Sequence, residues 1–293
     1  MIEHFIFINF LLIFCFSAVG YGYLFSKIFF KDFQTLNIGY QGIIGIFSIS
    51  IISILTSFFS SHNYIHNFFL HLIGLISYLQ FLIWNKKVVV TETKKLIIIT
   101  IILLIGIYVF KNHDDFPYYH LTYALNLSEN KLILGTGIFS HGFKTFSSLF
   151  YYHSTLYFPV IKYYLFHSGP FLILVFFDFI ILDKIKKKFD KSEFDFIYFF
   201  SLLSFIFINI AFYRLSEHGT DRSGQILLFL IFLIFFEFVF YNKEFEKKNI
   251  LFNLMSVIIL FIASIKAYFY IYFLVIPLFF FKNKFYSFYF IKK

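Results

Sequence analysis

Three stretches of this 293-residue chain concentrate side chains able to do chemistry. "HDDFPYYHL", His113 to Leu121, sets Asp114 beside Asp115 and follows them with Tyr119 and His120. "YRLSEHGTDRSGQ", Tyr213 to Gln225, packs Arg214, Glu217, His218, Asp221 and Arg222 close together, and a lone Lys266 interrupts the late apolar run "IASIKAYFYIYFLVIP". Adjacent carboxylates repel, so one of the aspartates needs a partner or a raised pKa. That suits a general base or a metal ligand, and equally a solvated helix cap. Paired arginines suit bidentate capture of phosphate oxygens, with Glu217 or Asp221 orienting them; a salt-bridged turn has the same composition. His113, Asp114, Asp115 and His120 contain donors for a divalent ion, but their spacing matches no standard zinc motif; no cofactor is expected, with a divalent metal at Asp114 and Asp115 as the alternative. Gly-rich phosphate loops, dinucleotide fingerprints and nucleophile elbows are absent from the sequence.

The elements that carry these residues must lie in a bilayer. Hydrophobic residues make up 60% of the chain and charged residues 14%, against about 45–50% and 25% in soluble domains. The 52 Phe and 22 Tyr exceed what packing requires, and with abundant Ile, Lys and Asn they suggest an A/T-rich coding bias, so most Phe act as Leu equivalents. Cys15 is the only cysteine, which leaves no disulfide framework. The net charge of +9 arises from short Lys/Arg clusters between apolar runs, a membrane-protein pattern and not a nucleic-acid face. The N-terminus has no positive leader and carries Glu3, so it reads as a retained first span; Ser17, Ala18 and Gly20 are the small residues a cleavage site would need.

A helix crosses the hydrocarbon with ~20 apolar residues. The candidate spans are 4–24, 38–59, 64–84, 96–110, 158–182, 196–213, 224–241, 250–263 and 267–281, the last two separated at Ser264 to Lys266. The expected fold is therefore an all-α polytopic bundle of about nine spans. An N-terminal three-span region (1–95) would precede a catalytic-like region (96–293) with outer loops 111–157 and 214–223. The alternate loops 25–37, 85–95, 183–195 and 242–249 and the tail 282–293 hold 18 of the 25 basic residues. They are assigned to the cytoplasm, with the N-terminus outside and the C-terminus inside. All ten histidines then fall on the outer side. Asp178 and Glu237 lie near inner span ends and read as snorkelling carboxylates.

In loop 111–157, Asp114 or Asp115 can cap a helix with Pro117 in its first turn. The segment 117–127 would lie on the membrane surface with Tyr118, Leu121 and Leu125 on one face. "GTGIFSHGFKTFSSLFYYHS", which contains His141, reads as a folded loop.

The acidic residue leaving a span in "DDFPYYHL", followed by a surface helix and "HGFKTFSSLF", resembles bacterial inner-membrane proteins related to the C-type glycosyltransferase superfamily. The resemblance covers roughly residues 96–281. It implies Asp114 or Asp115 as the base, Tyr119 and His120 as the aromatic–histidine pair after it, and Lys266 as a basic residue before a late span. It also implies a polyprenyl-phosphate-linked sugar as donor and a cell-envelope glycan, lipid or protein as acceptor. His141 and the residues of the 214–222 loop would line the substrate site. Four spans, three besides the one that leads into it, precede the acidic loop, whereas the best-known members have one. Two other readings share charged outer loops: a polysaccharide polymerase or ligase, and a carrier or flippase of lipid-linked glycans. A carrier would be expected to have paired broken helices in two related halves, and the sequence has no such symmetry.

Overall fold

The computed structural model describes residues 2–108, 115–212, 220–240 and 245–277. Among these residues no strand forms, and the chain is all-α. Its helices are α1 (Ile2–Phe29), α2 (Ile38–Ser57), α3 (Tyr64–Trp84), α4 (Lys86–Leu103), the single turn α5 (Ile105–Tyr108), α6 (Leu121–Glu129), α7 (Ser148–Ser154), α8 (Ser168–Asp190), α9 (Phe196–Ala211), α10 (Thr220–Phe240) and α11 (Phe245–Ile265). A tight 3-10 segment, Ala267–Leu274, follows. Five helices are long and apolar enough to cross a membrane: Glu3–Phe29, Ile38–Ser57, Tyr64–Trp84, Thr220–Phe240 and Lys248–Ile265. Phe196–Ala211 and Ala267–Pro277 are shorter apolar helices. The outward faces carry Phe68, Ile102, Leu203 and Ile210, all exposed, as lipid contact requires.

Two expected spans differ most in their limits. Helix α4 begins at Lys86, one residue after α3, and does not wait for Leu96. Val89, Leu96 and Thr100 recur at helical spacing and bury one stripe, while most of the lysines of that segment ride outside. The expected span 158–182 is half irregular: residues 158–167 form turns, with Lys162 at φ 48°, and α8 starts at Ser168 with Pro170 in its first turn. Helix α8 runs on to Asp190, which moves Asp178 to mid-helix. There it is 2% exposed and accepts a hydrogen bond from Asn209 Nδ2 at 3.0 Å, so it does not snorkel. Glu237 pairs with Lys184 across the α8–α10 interface.

Helix α8 is the centre of the bundle, buried without interruption from Ser168 to Ile181, which is why its sequence lacks a polar face. Helices α1, α2 and α3 cross tightly, and a Cβ on Gly20 would come 1.8 Å from the Gly74 carbonyl oxygen. Only a backbone without side chains can approach that closely.

The bundle has two chemically distinct ends. At the lysine-rich end, Asn37 caps α2 by accepting from the Tyr40 N–H, Asp195 caps α9 in the same way, and Lys188 bridges Glu193 and Asp195 at 2.8 and 2.6 Å. At the histidine-rich end, the α2–α3 turn is tied to α6 and α7. The His62 N–H donates to the Leu127 carbonyl at 2.8 Å, and His62 Nδ1 shares a 2.6 Å hydrogen bond with Ser154 Oγ. Asn67 Nδ2 is directed at the carbonyls of His62, Ser154 and Tyr157, and His71 joins Ser17 to the Thr155 carbonyl. Buried backbone acceptors of an irregular segment must find donors. These side chains supply them and hold the end of α7 and the turns that follow it onto the N-terminal helices.

Candidate functional site

The chemistry-bearing residues gather at the histidine-rich end. Asp115 opens a helical turn, and Pro117 suits it because its missing N–H has no intrahelical partner there. Residues Phe116–His120 form one turn of wider π-helix that continues into α6. Asp115 has helical φ and ψ, and its side chain makes no capping bond. Its carboxylate oxygen Oδ2 instead accepts from Tyr119 Oη, one turn on, at 3.5 Å. The expected cap is therefore not made by this residue. The buried residues of the surface segment are Tyr119, His120, Ala124 and Leu127; Leu121 and Leu125 are half-buried against the core, whereas Tyr118 is exposed and does not share their face. The wider turn shifts the register of the residues after it.

Tyr119 is 7% exposed and sits edge-on to His120, with ring centroids 4.3 Å apart; both rings rest on Phe150. The turn 141–144 lies flat against Tyr119, because a Cβ on Gly142 would come 2.5 Å from the tyrosine Cβ. His141 is exposed on that same turn. Burial, then the negative charges of Asp115 and Asp221, push the Tyr119 phenol up to about 12, so it stays a neutral donor beside the carboxylates.

Asp221 and Arg222 arrive on the first turn of α10. Asp221 Oδ1 pairs with Lys266 Nζ at 2.5 Å and also accepts from Thr220 Oγ1 at 3.3 Å. The Arg222 guanidinium donates to Gln225 Oε1 at 2.7 Å and lies over the Phe212 ring, 5.0 Å from its centroid. Lys266 leaves α11 in an extended conformation, φ −151°, ψ 141°, which turns the chain into the following 3-10 segment and brings Tyr268 within electrostatic reach of Asp221 and Arg222. Ser148 and Ser264 share a 2.8 Å hydrogen bond that fixes α7 beside this turn. Three stretches distant in sequence thus converge: Asp115 with Tyr119, Asp221 with Arg222, and Lys266. Of the other expected site residues, His120 is buried behind Tyr119. Asp114, Arg214, Glu217 and His218 lie outside the described residues.

Two histidines not singled out in the sequence line the floor. Phe116 packs on His167 at 3.9 Å between ring centroids, and His153 lies buried near His120 and His167. Among the described residues, His153 Nε2 has no hydrogen-bond partner. No group of three or more metal-ligating side chains occurs among the described residues.

Burial, reinforced by its histidine neighbours, holds His153 down to about 3, and burial beside His66 does the same to His62. A depressed folded-state pKa means the unfolded chain binds the extra proton first. Stability from each is present above about pH 6.5 and is lost as the pH falls towards 3, at roughly 1.4 kcal/mol per proton per pH unit. Thermal unfolding in detergent should therefore show a lower Tm at pH 5 than at pH 7.5, and His153→Gln should reduce that difference. Equal values at the two pHs would count against neutral buried histidines.

No protein family, curated protein or solved structure matches the chain.

Proposed function

We propose that the chain is an integral membrane glycosyltransferase, taking a sugar from a polyprenyl-phosphate donor and passing it to a cell-envelope glycan, lipid or protein at the histidine-rich end. The observation that carries this reading is the convergence of the Asp115–Tyr119 pair with the Asp221–Lys266 ion pair and Arg222 at one end of an apolar bundle. A base and cations for a leaving phosphate are the two requirements of the reaction, and they come here from separate elements.

In the proposed step, Asp115 takes the proton of an acceptor hydroxyl as its oxygen bonds to the anomeric carbon. The bond from that carbon to the lipid phosphate breaks, and the electron pair leaves with the phosphate oxygen. Lys266 and Arg222 stabilise the phosphate charge. A phosphate leaves without acid help, so one carboxylate suffices and the configuration inverts. No metal enters this step. Tyr119 stays protonated and holds Asp115 by its hydrogen bond. The remaining spans of the expected nine-span path, including a return crossing after Lys266, belong to this reading, as does a bacterial inner-membrane location.

The lysine-rich end would face the cytoplasm, following the retention of Lys and Arg there. Because Cys15 is fully buried, introduced thiols can be read in the native background. Ser140→Cys in cells should react with a membrane-impermeant maleimide, and Lys191→Cys should react only after permeabilisation. The reverse pattern would invert the orientation.

The activity itself is tested with purified protein in nanodiscs and a polyprenyl-phosphate hexose carrying a radiolabelled sugar. Asp115-dependent release of polyprenyl phosphate supports transfer. Movement of intact lipid-linked sugar between leaflets, without release, would favour a carrier.

A further inference from the structure

At the opposite, lysine-rich end, α4 and α8 run antiparallel and enclose a groove of about 240 Å³. Lys95, Ile98 and Ile99 line it from α4, and Phe179, Leu182 and Lys186 from α8. On α4 the spacing Lys95, Ile98/Ile99 and Ile102 follows one face of the helix, and on α8 Lys186, Leu182 and Phe179 do the same in the opposite chain direction. Each helix therefore presents an apolar stripe with a lysine at the same end. The stripes face each other across the groove, with both lysines at its mouth. Ile98 and Ile102 are exposed, so the groove opens sideways onto the surface where a bilayer's hydrocarbon would lie.

The charges at the mouth are unequally committed. Lys184 pairs with Glu237, Lys187 with Asp183 at 2.7 Å, and Lys188 with Glu193 and Asp195. Lys95 and Lys186 have no carboxylate within ion-pair distance among the described residues. Asp183, which also borders the groove, is taken by Lys187 and by Asn37 Nδ2 at 3.3 Å. Glu92, one turn before Lys95, accepts the Ile38 N–H at 2.9 Å and lies within electrostatic reach of Lys95 without pairing with it. An apolar slot with two ammonium groups at its rim, neither in an ion pair among the described residues, complements a molecule with a hydrocarbon chain and an anionic head, and basic pockets between membrane helices hold phosphate-bearing lipid heads in this way.

We propose that the α4–α8 groove binds an anionic phospholipid, with an acyl chain along Ile98, Ile99, Phe179 and Leu182 and the phosphate between Lys95 and Lys186. This site is separate from the histidine-rich cluster and stands whether or not the chain transfers sugars; it needs only that the bundle lies in a membrane.

Trp84 is the single tryptophan, so a protein carrying Trp84→Phe and Ile98→Trp has its only indole in the groove. Ile98 is 57% exposed, which leaves space for the larger ring. In vesicles, quenching by chain-brominated phosphatidylglycerol should half-saturate at a mole fraction about 25-fold lower than quenching by chain-brominated phosphatidylcholine, since each of the two lysines near a lipid phosphate contributes roughly fivefold. Lys95→Gln with Lys186→Gln should bring the two curves together, and Lys186→Gln alone should narrow the gap. Lys191→Gln, elsewhere on the lysine-rich end, should leave the curves apart. Coincident curves in the parent would overturn the proposal, as would a preference that survives the double variant with helicity intact.

Discussion

Replacing Asp115 with asparagine is expected to lower the rate of sugar transfer by about 10²–10⁴ while leaving thermal unfolding nearly unchanged. The separation of the two effects follows from what Asp115 does not do. A capping aspartate would cost about 0.5–2 kcal/mol when lost, but Asp115 has helical dihedral angles and no capping bond. Its tyrosine partner, Tyr119 Oη, lies at the 3.5 Å limit, and asparagine keeps a carbonyl oxygen to accept that bond. At this contact the substitution therefore removes the basicity of the group and keeps the acceptor for Tyr119. Tyr119→Phe isolates the supporting contact: as a positioning residue it should reduce turnover several-fold and leave donor KM unchanged. Full activity in Asp115→Asn would remove the base from the mechanism and leave Asp114 as the remaining carboxylate of the pair.

The ease of reading this chain varies with how local the deciding physics is. Helix α3 is legible to the residue because Asn63 accepts the N–H groups of Ile65 and His66 at one end and Asn85 breaks the helix at the other. Helices α4 and α8 are not, because lysine content reads as a loop signal. Here Lys94 and Lys186 ride on exposed helix faces while Leu96, Phe179 and Ile180 a few residues away are buried. The same holds for the site. Asp115 and Tyr119 are four residues apart, and helical spacing alone brings them together. Asp221 and Lys266 meet only because α10 and α11 pack side by side, which no local pattern encodes. His153 and His167 carried a weak signal, the concentration of every histidine at one end. The packing of His167 against Phe116 and the burial of His153 near His120 are tertiary.

Lys266→Met is expected to raise the KM for a polyprenyl-phosphate donor, lower its turnover, or both, by a combined factor of about 10²–10³. That is the range for removing one preorganised donor from a developing anion. Its effect on stability should be small. The Lys266–Asp221 pair is partly open to solvent, with side chains 19% and 47% exposed, and such pairs contribute about 0–1 kcal/mol. The pair also supplies its own control. If Lys266 serves the donor phosphate, Asp221 competes with that phosphate for the same ammonium, and Asp221→Asn should lower donor KM while Lys266→Met raises it. If the pair were only a strut between α10 and the turn after α11, the two substitutions would act alike, each lowering the Tm slightly and neither changing KM. Lys266→Arg adds a further check, since it keeps the charge and gains bidentate geometry towards phosphate; it should retain most of the activity that Lys266→Met loses. Parallel effects of Asp221→Asn and Lys266→Met on KM would exclude competition for the ammonium and return Lys266 to a structural role.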